Sequence, residues 1–384
     1  MDILRRLNDE ARRTTTAEEC VLAHGERRIE LACSAAGLVD RLASALDPFL
    51  PRVTREADAD VRVEALATDV GDEVRAELGA GTELVIDASL YPTNTRGRRI
   101  DLADGRHAVL IDKTATVCLV SPRERLVRVY QPDEGLLRLD SDRLIKGLAT
   151  SLAEADEELV VHASAVVTPS GQAVLFPGDS RNGKTTILLH TLARFDVAML
   201  SCDTSFLRWD GDQLWATGWP SNFSLSTGTL HDFDFLHALM TPQQRELTYT
   251  QAWGIYPKEV LDTREVIARA GASVVTRAPV SSVVFLNFAP EEPTGIRPLS
   301  DPKKVRSWIE QVCLGSRDPL YPNWHGYQQV SEEQVERSVE RFSQLIADRL
   351  PVHQLDWAPG PDQLLRHVEQ LDAASSNRTA GAGR

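Results

Sequence analysis

The stretch "FPGDSRNGKTTILL", residues 176–189, follows a short apolar run and leads into a segment with helical spacing. Gly178, Gly183, Lys184 and Thr185 satisfy the pattern G-x-x-x-x-G-K-[ST]. Two readings are open: a cradle for nucleotide phosphates, or a glycine turn joining a strand to a helix. Average residue frequencies give such a match by accident on the order of once in a hundred chains of this length. The context a cradle needs is also present, an apolar strand before the loop and the helix "TTILLHTLARF" within and after it. The cradle is therefore the better reading. Its glycines allow backbone angles and close approach that a Cβ would block. The backbone N–H groups of Gly178, Asp179, Ser180, Arg181, Asn182, Gly183 and Thr186 could then converge on phosphate oxygens. Lys184 would reach the outer phosphates, the Thr185 hydroxyl would ligate Mg²⁺, and the helix would present its positive end to the anion. The expected cofactors are ATP and Mg²⁺. A Rossmann site is the weaker reading, because the loop has no G-x-G-x-x-G.

Beyond the loop, "VAMLSCD" places Ser201, Cys202 and Asp203 after four apolar residues. An acid at the end of a buried strand beside a phosphate loop can hold Mg²⁺, directly or through water, or accept a proton from an attacking hydroxyl. The bland alternative is an Asp that starts a turn. The interval from Lys184 to Asp203 leaves room for one helix and a return strand, which favours the functional reading. His162, in "VVHASAV", lies on an apolar strand; taken alone, such a His is more often a satisfied core residue.

Composition narrows the function classes. Over 384 residues, 42% are apolar and 26% charged, as in ordinary globular proteins, and the length favours two domains. A formal charge of −14 argues against general nucleic-acid binding. The "TRGRR" run around Arg96–Arg99 reads as a solvated loop. Five scattered cysteines form no CxxC pair and indicate neither a zinc site nor a disulfide scaffold, so a reducing cytoplasm is expected. The charged N-terminus lacks a signal-peptide core, and no run approaches about 18 apolar residues, so no membrane partner is expected.

After a polar start, "ERRIELACS" alternates like a strand and "AAGLVDRLASALDPFL" has helical spacing up to Pro51. "VRVEAL", "TELVIDASLY", "HAVLIDK", "TATVCLVSP" and "RLVRVYQ" suggest one mainly antiparallel sheet, closed by a helix over about 141–153. From Leu159 the pattern becomes strand, "TPSG" turn, strand, loop, helix and strand, a buried sheet with a crossover. A hairpin is expected around Asp210 to Asp212, a strand over 281–288, and helices at "DPKKVRSWIEQVC" and "SEEQVERSVERFSQLIADRL". The expected division is an N-terminal α+β domain over 1–155, a catalytic domain over 156–371 and a disordered tail over 372–384.

The run "HASAVVTPSGQAVLFPGDSRNGKTTILLHTLARFDVAMLSCD", from His162 to Asp203, resembles the core of the HPr kinase/phosphorylase family and its HPr-kinase-like relatives, which share a core with phosphoenolpyruvate carboxykinase. The specific resemblance covers about forty-five residues, and the layout extends it loosely to about Leu299. It implies an α/β fold with a P-loop kinase core of that type, preceded by an N-terminal α+β region. It further implies that Lys184 and Thr185 bind phosphates and Mg²⁺, that Asp203 is the second acid of a pair and the catalytic base, and that His162 lies near the transferred phosphate. The chain departs from the family in three places. Arg181 and Asn182 replace small residues, Cys202 replaces the first acid, and Thr186 stands where Glu is common. The resemblance is thus to a divergent member.

The function expected is an ATP-dependent kinase acting on a hydroxyl, of a serine in a small protein or peptide or of a small metabolite. Arg181, Lys258 and Arg297 are candidates for a further cation, each also readable as a surface charge. "GWPSNFSLSTGTLHDF", residues 218–233, is either an acceptor wall or an ordinary strand with a loop, the latter preferred. The rival reading, favoured by Cys202, is a non-catalytic module that senses ATP. The family's hexamer does not carry over to so different an N-terminal half, and an oligomer stays open.

Overall fold

Val, Ile and Leu alternate with charged residues through the first third of the chain, and these stretches pair into one large sheet. The computed structural model describes residues 3–55, 58–87, 95–254, 258–289, 295–314, 323–327 and 330–357. The chain divides into two units, Met1–Glu157 with Gly315–Val335, and Glu158–Leu314 with Glu336–Arg384. Each combines a large sheet with helices, a mixed α/β architecture.

The first unit contains α1 (Ile3–Arg13), β1 (Glu18–His24), β2 (Arg27–Cys33), α2 (Leu38–Leu46), β3 (Arg52–Val53), β4 (Val61–Leu66), α3 (Asp72–Gly79), β5 (Thr82–Asp87), β6 (Thr95–Asp101), β7 (His107–Ile111), β8 (Thr116–Ser121), β9 (Leu126–Tyr130) and α4 (Glu134–Ala155). Its sheet runs β3-β1-β2-β4-β9-β8-β7-β6-β5. Most pairs are antiparallel, as the alternation suggests, but β2–β4 and β4–β9 are parallel, so the centre of the sheet differs from the expectation.

Three further differences have local causes. The polar start folds as α1, because Ile3 and Leu7 lie one turn apart and bury against Leu66, Leu119 and Tyr130. The Tyr130 hydroxyl donates to the Leu7 carbonyl at 3.0 Å. The arginines expected in a loop lie on β6, where Arg96 and Arg98 pair with Glu83 and Arg99 with Asp101. Helix α4 begins earlier than expected, because Asp133 caps it by accepting the Leu136 N–H at 2.9 Å. Within α4, buried Asp140 accepts the Thr114 and Thr116 hydroxyls at 2.6 Å each and pairs with Arg143. The segment 323–327 also belongs to this unit, and the Trp324 carbonyl lies 3.2 Å from His107 Nε2.

The second unit contains β10 (Leu159–Val167), β11 (Ala173–Pro177), α5 (Lys184–Arg194), β12 (Ala198–Ser201), β13 (Thr204–Asp210), β14 (Gln213–Gly218), β15 (Phe223–Leu225), α6 (Thr227–His231), α7 (Pro242–Arg245), α8 (Tyr249–Gly254), β16 (Glu259–Leu261), α9 (Thr263–Ala270), β17 (Arg277–Phe288), β18 (Gly295–Pro298), α10 (Pro302–Val312), the body of α11 (Glu332–Arg349) and β19 (Val352–Trp357). The tail expected over 372–384 lies outside the described residues.

Strands β10 and β11 form a hairpin whose turn closes with Gly171 N–H donating to Thr168 O at 2.8 Å. The Asp-Gly-Asp turn joins β13 to β14, with Asp210 opposite Gln213. The central feature is parallel: β11 pairs with β17, and β17 with β19. These three strands therefore end at one edge, where open α/β sheets place their ligands.

Candidate functional site

The glycine loop leaves the end of β11 and enters α5, with Lys184 as the first helical residue. Its position is set by the hairpin register. Ala163 opposes Pro177, and the ladder continues with Gly178 N–H donating to His162 O at 3.2 Å. The loop tightens through Asn182 N–H to Asp179 O at 3.1 Å, and α5 starts with Ile187 N–H to Gly183 O at 2.9 Å. Two residues take the left-handed region, Arg181 at φ 71° and Gly183 at φ 85°. For glycine this carries no Cβ penalty; for Arg181 it stores strain of about 1 kcal/mol or more, a feature that concentrates at functional loops.

Lys184 turns back into the loop. Its Nζ donates to the carbonyls of Gly178 at 2.9 Å and Asp179 at 3.0 Å, and the residue is buried. Burial lowers its pKa to about 8; Lys258 lowers it too, while Asp203 and Asp179 act in the opposite sense. Ser164 Oγ holds the start of α5 by donating to Lys184 O at 3.1 Å. At the exposed mouth, the Asp179 carboxylate accepts the Ser180 N–H at 2.6 Å, a backbone donor that an incoming anion would need to win back.

On one flank of the loop, β10 brings His162 beside Asp203. Both β12 and β13 pair with β10, and the chain bends at Cys202 and Asp203 between them. The Ser201 and Ser205 hydroxyls both donate to Ala163 O across this bend, at 3.1 and 3.2 Å. His162 opposes Thr204, which leaves His162 Nε2 3.1 Å from Asp203 Oδ1, and Thr204 donates its hydroxyl to Oδ2 at 3.3 Å. The Asp203 side chain is 45% exposed. What burial it has raises its pKa, but the His162 hydrogen bond and charge, with Lys184 and Thr204, outweigh this and hold it well below the usual carboxylate range. Cys202 points elsewhere, with its thiol 3.4 Å from Ser221 O.

On the other flank, β19 supplies Trp357, which the sequence analysis did not single out. Its indole N–H donates to Asn182 O at 2.8 Å, and its ring covers Gly183 so closely that a Cβ there would lie 1.7 Å from Cζ2. Gly178 is confined too, with an added Cβ 3.3 Å from that of Leu286. The sequence signal for Trp357 is weak, an aromatic residue ending the mixed polar and apolar run "VHQLDW".

The remaining candidates are placed as follows. Thr185 is half-buried in the first turn of α5. Thr186 is buried, its hydroxyl 3.1 Å from that of Thr229, so only its backbone can serve a phosphate. Lys258 precedes β16 and is near enough for its charge to act on Lys184. Arg297 pairs with Asp356 at 3.1 Å, and strand alternation puts Asp356 on the opposite face of β19 from Trp357. In residues 218–233, Trp219, Phe223 and Phe233 are buried, Asn222 and Ser224 are exposed, and the segment folds as β15 followed by α6. Among the described residues, no helix is long and apolar enough to cross a membrane.

No family model and no curated protein matches the sequence. Among solved structures, the HPr(Ser) kinase/phosphatase from Coxiella burnetii aligns at 13% identity, over 59% of this chain and 98% of that one, with a TM-score of 0.29. That likeness is too loose to say what this chain does.

Proposed function

We propose that the chain is an ATP-dependent kinase that transfers the γ-phosphate to a hydroxyl, with the loop at residues 178–185 as its phosphate cradle. The observation that carries this reading is the convergence at one loop of a buried lysine and a carboxylate held ionised by a histidine. A turn with no ligand has no use for a lysine whose burial lowers its pKa to about 8. An arriving phosphate would give that ammonium the partner it lacks in the loop carbonyls.

In the proposed mechanism, Lys184 exchanges its contacts with Gly178 and Asp179 for phosphate oxygens, and the N–H groups opening α5 bind the same anion. The acceptor oxygen attacks the γ-phosphorus in line, the bond to the β,γ-bridging oxygen breaks, and ADP carries away that oxygen. Asp203 takes the acceptor proton. A carboxylate so firmly ionised is a weak base, which suits a loose transition state in which the proton leaves late. His162 positions the Asp203 carboxylate through its 3.1 Å contact. The Thr185 hydroxyl and the Asp203 carboxylate are hard oxygen donors of the kind Mg²⁺ takes, and they are the residues that would hold it. When bound, Mg²⁺ supplies charge neutralisation on the β- and γ-phosphates. The acceptor is a serine of a small protein or peptide, or a metabolite hydroxyl.

The test is to incubate purified protein with Mg²⁺ and γ-labelled ATP, with and without an extract of peptides and metabolites from its source, and to follow the label. Label in a new product, lost in Lys184→Ala, supports the kinase. Asp203→Asn should still bind ATP but lose turnover by about 10²-fold or more; near-normal turnover would remove Asp203 as the base. ATP that binds without label reaching any acceptor or water favours a nucleotide-sensing module, the reading consistent with a thiol at 202 turned toward Ser221 O.

A further inference from the structure

The loop has two flanks, and only one is used by the chemistry above. Strand β11 pairs with β10 on one side and β17 on the other. His162 and Asp203 stand on the β10 flank. A triphosphate lying in the loop with its γ-end toward Asp203 must lead its nucleoside away over the β17 flank. There Phe288 ends β17 and is paired in register with Trp357. The two rings meet edge to face, with centroids 5.3 Å apart and planes at 62°. Trp357 itself is buried at 3% exposure, whereas Phe288 is 38% exposed. The other large exposed apolar side chains among the described residues are aliphatic: Val85, Leu139 and Val260.

We propose that Phe288 is the stacking platform for the nucleotide base, held at its angle by Trp357. The assignment rests on the phosphate-cradle reading of the loop. Its logic is spatial. Trp357 touches the loop at Asn182 and Gly183, and Phe288 packs on the Trp357 ring with centroids 5.3 Å apart, so the platform is separated from the loop by one indole. A partly exposed aromatic ring is costly to leave in water and is the kind of surface on which any purine can stack. Trp357 then joins the two halves of the ligand site, its N–H fixing the loop and its ring bracing the platform.

The decisive measurement is calorimetric titration of Mg²⁺ complexes of ATP, ADP and inorganic tripolyphosphate into wild type, Phe288→Ala and Phe288→Tyr. The expected result is that Phe288→Ala weakens ATP and ADP by about tenfold or more, leaves tripolyphosphate unchanged, and that Phe288→Tyr binds all three like wild type. Unchanged ATP affinity in Phe288→Ala overturns the platform and leaves the cradle standing. Equal weakening of all three ligands also overturns it, because Phe288 would then act on the loop through Trp357. Wild type that binds neither ATP nor tripolyphosphate removes the cradle itself, and the platform with it.

Discussion

Replacing Lys184 by methionine should stabilise the second unit at neutral pH while abolishing nucleotide binding. The ammonium is buried at 6% exposure, and its pKa falls from 10.5 to about 8. That gap corresponds to about 3 kcal/mol spent on keeping the charge inside the fold. The unfolded chain holds this proton more tightly than the native one between pH 8 and 10.5. The penalty is therefore fully present below pH 8 and is relieved as pH rises through that window. Methionine removes the charge but also the hydrogen bonds to Gly178 O and Asp179 O, each worth about 1 kcal/mol. At pH 7 the variant should be the more stable by about 1 kcal/mol, and above pH 10.5 the less stable by about 2 kcal/mol. Urea unfolding of both proteins from pH 7 to 10.5, followed by tryptophan fluorescence, reads the difference, since titrations of groups remote from Lys184 cancel. A stability difference that does not change with pH would refute a buried, charged Lys184.

The same titration predicts that the free protein loses affinity for ATP as pH rises past about 8, and calorimetry in buffers of different ionisation enthalpy should detect proton uptake on binding there. Gly183→Ala should abolish tripolyphosphate binding, because its Cβ would meet Trp357 at 1.7 Å and φ is 85°; Trp357→Phe, which loses both the N–H bond to Asn182 and part of the ring that covers Gly183, should cost about 2 kcal/mol or more of stability by urea unfolding. In the first unit, burial lowers His107 to about 4 and His325 to about 3, so the unfolded state takes up protons first and stability falls with pH below about 6.5. His325→Asn should reduce that acid slope by up to about 1.4 kcal/mol per pH unit in urea titrations between pH 4.5 and 6.5.

The legible parts of this chain are those built from near neighbours in sequence. The strand, loop and helix around Lys184 span some twenty residues, and the Asp-Gly turn and the helices α10 and α11 carry local signals of the same kind. The contact between His162 and Asp203 is not local. It depends on β13 pairing with β10 in the register that sets His162 against Thr204, which spacing alone does not reveal. Trp357 is further out of reach, since it meets the loop only after β19 aligns in parallel with β17. The parallel pairs inside the first sheet were hidden for a related reason, because apolar alternation is the same whichever way a neighbour runs. Helix α1 is hard to read from sequence because its buried stripe is only two residues deep among arginines.

Trp357 donates to a carbonyl 175 residues earlier in the chain. During synthesis the glycine loop leaves the ribosome long before the strand that finishes it. Until β19 slots between β17 and β18, Gly183 has no indole over it and Asn182 no donor on its carbonyl. A nascent chain that already displays the whole Gly-Lys-Thr motif therefore lacks a finished cradle. On the proposed reading, the capacity to hold a nucleotide phosphate arrives with β19, and a chain stalled short of that strand is kept idle by topology alone.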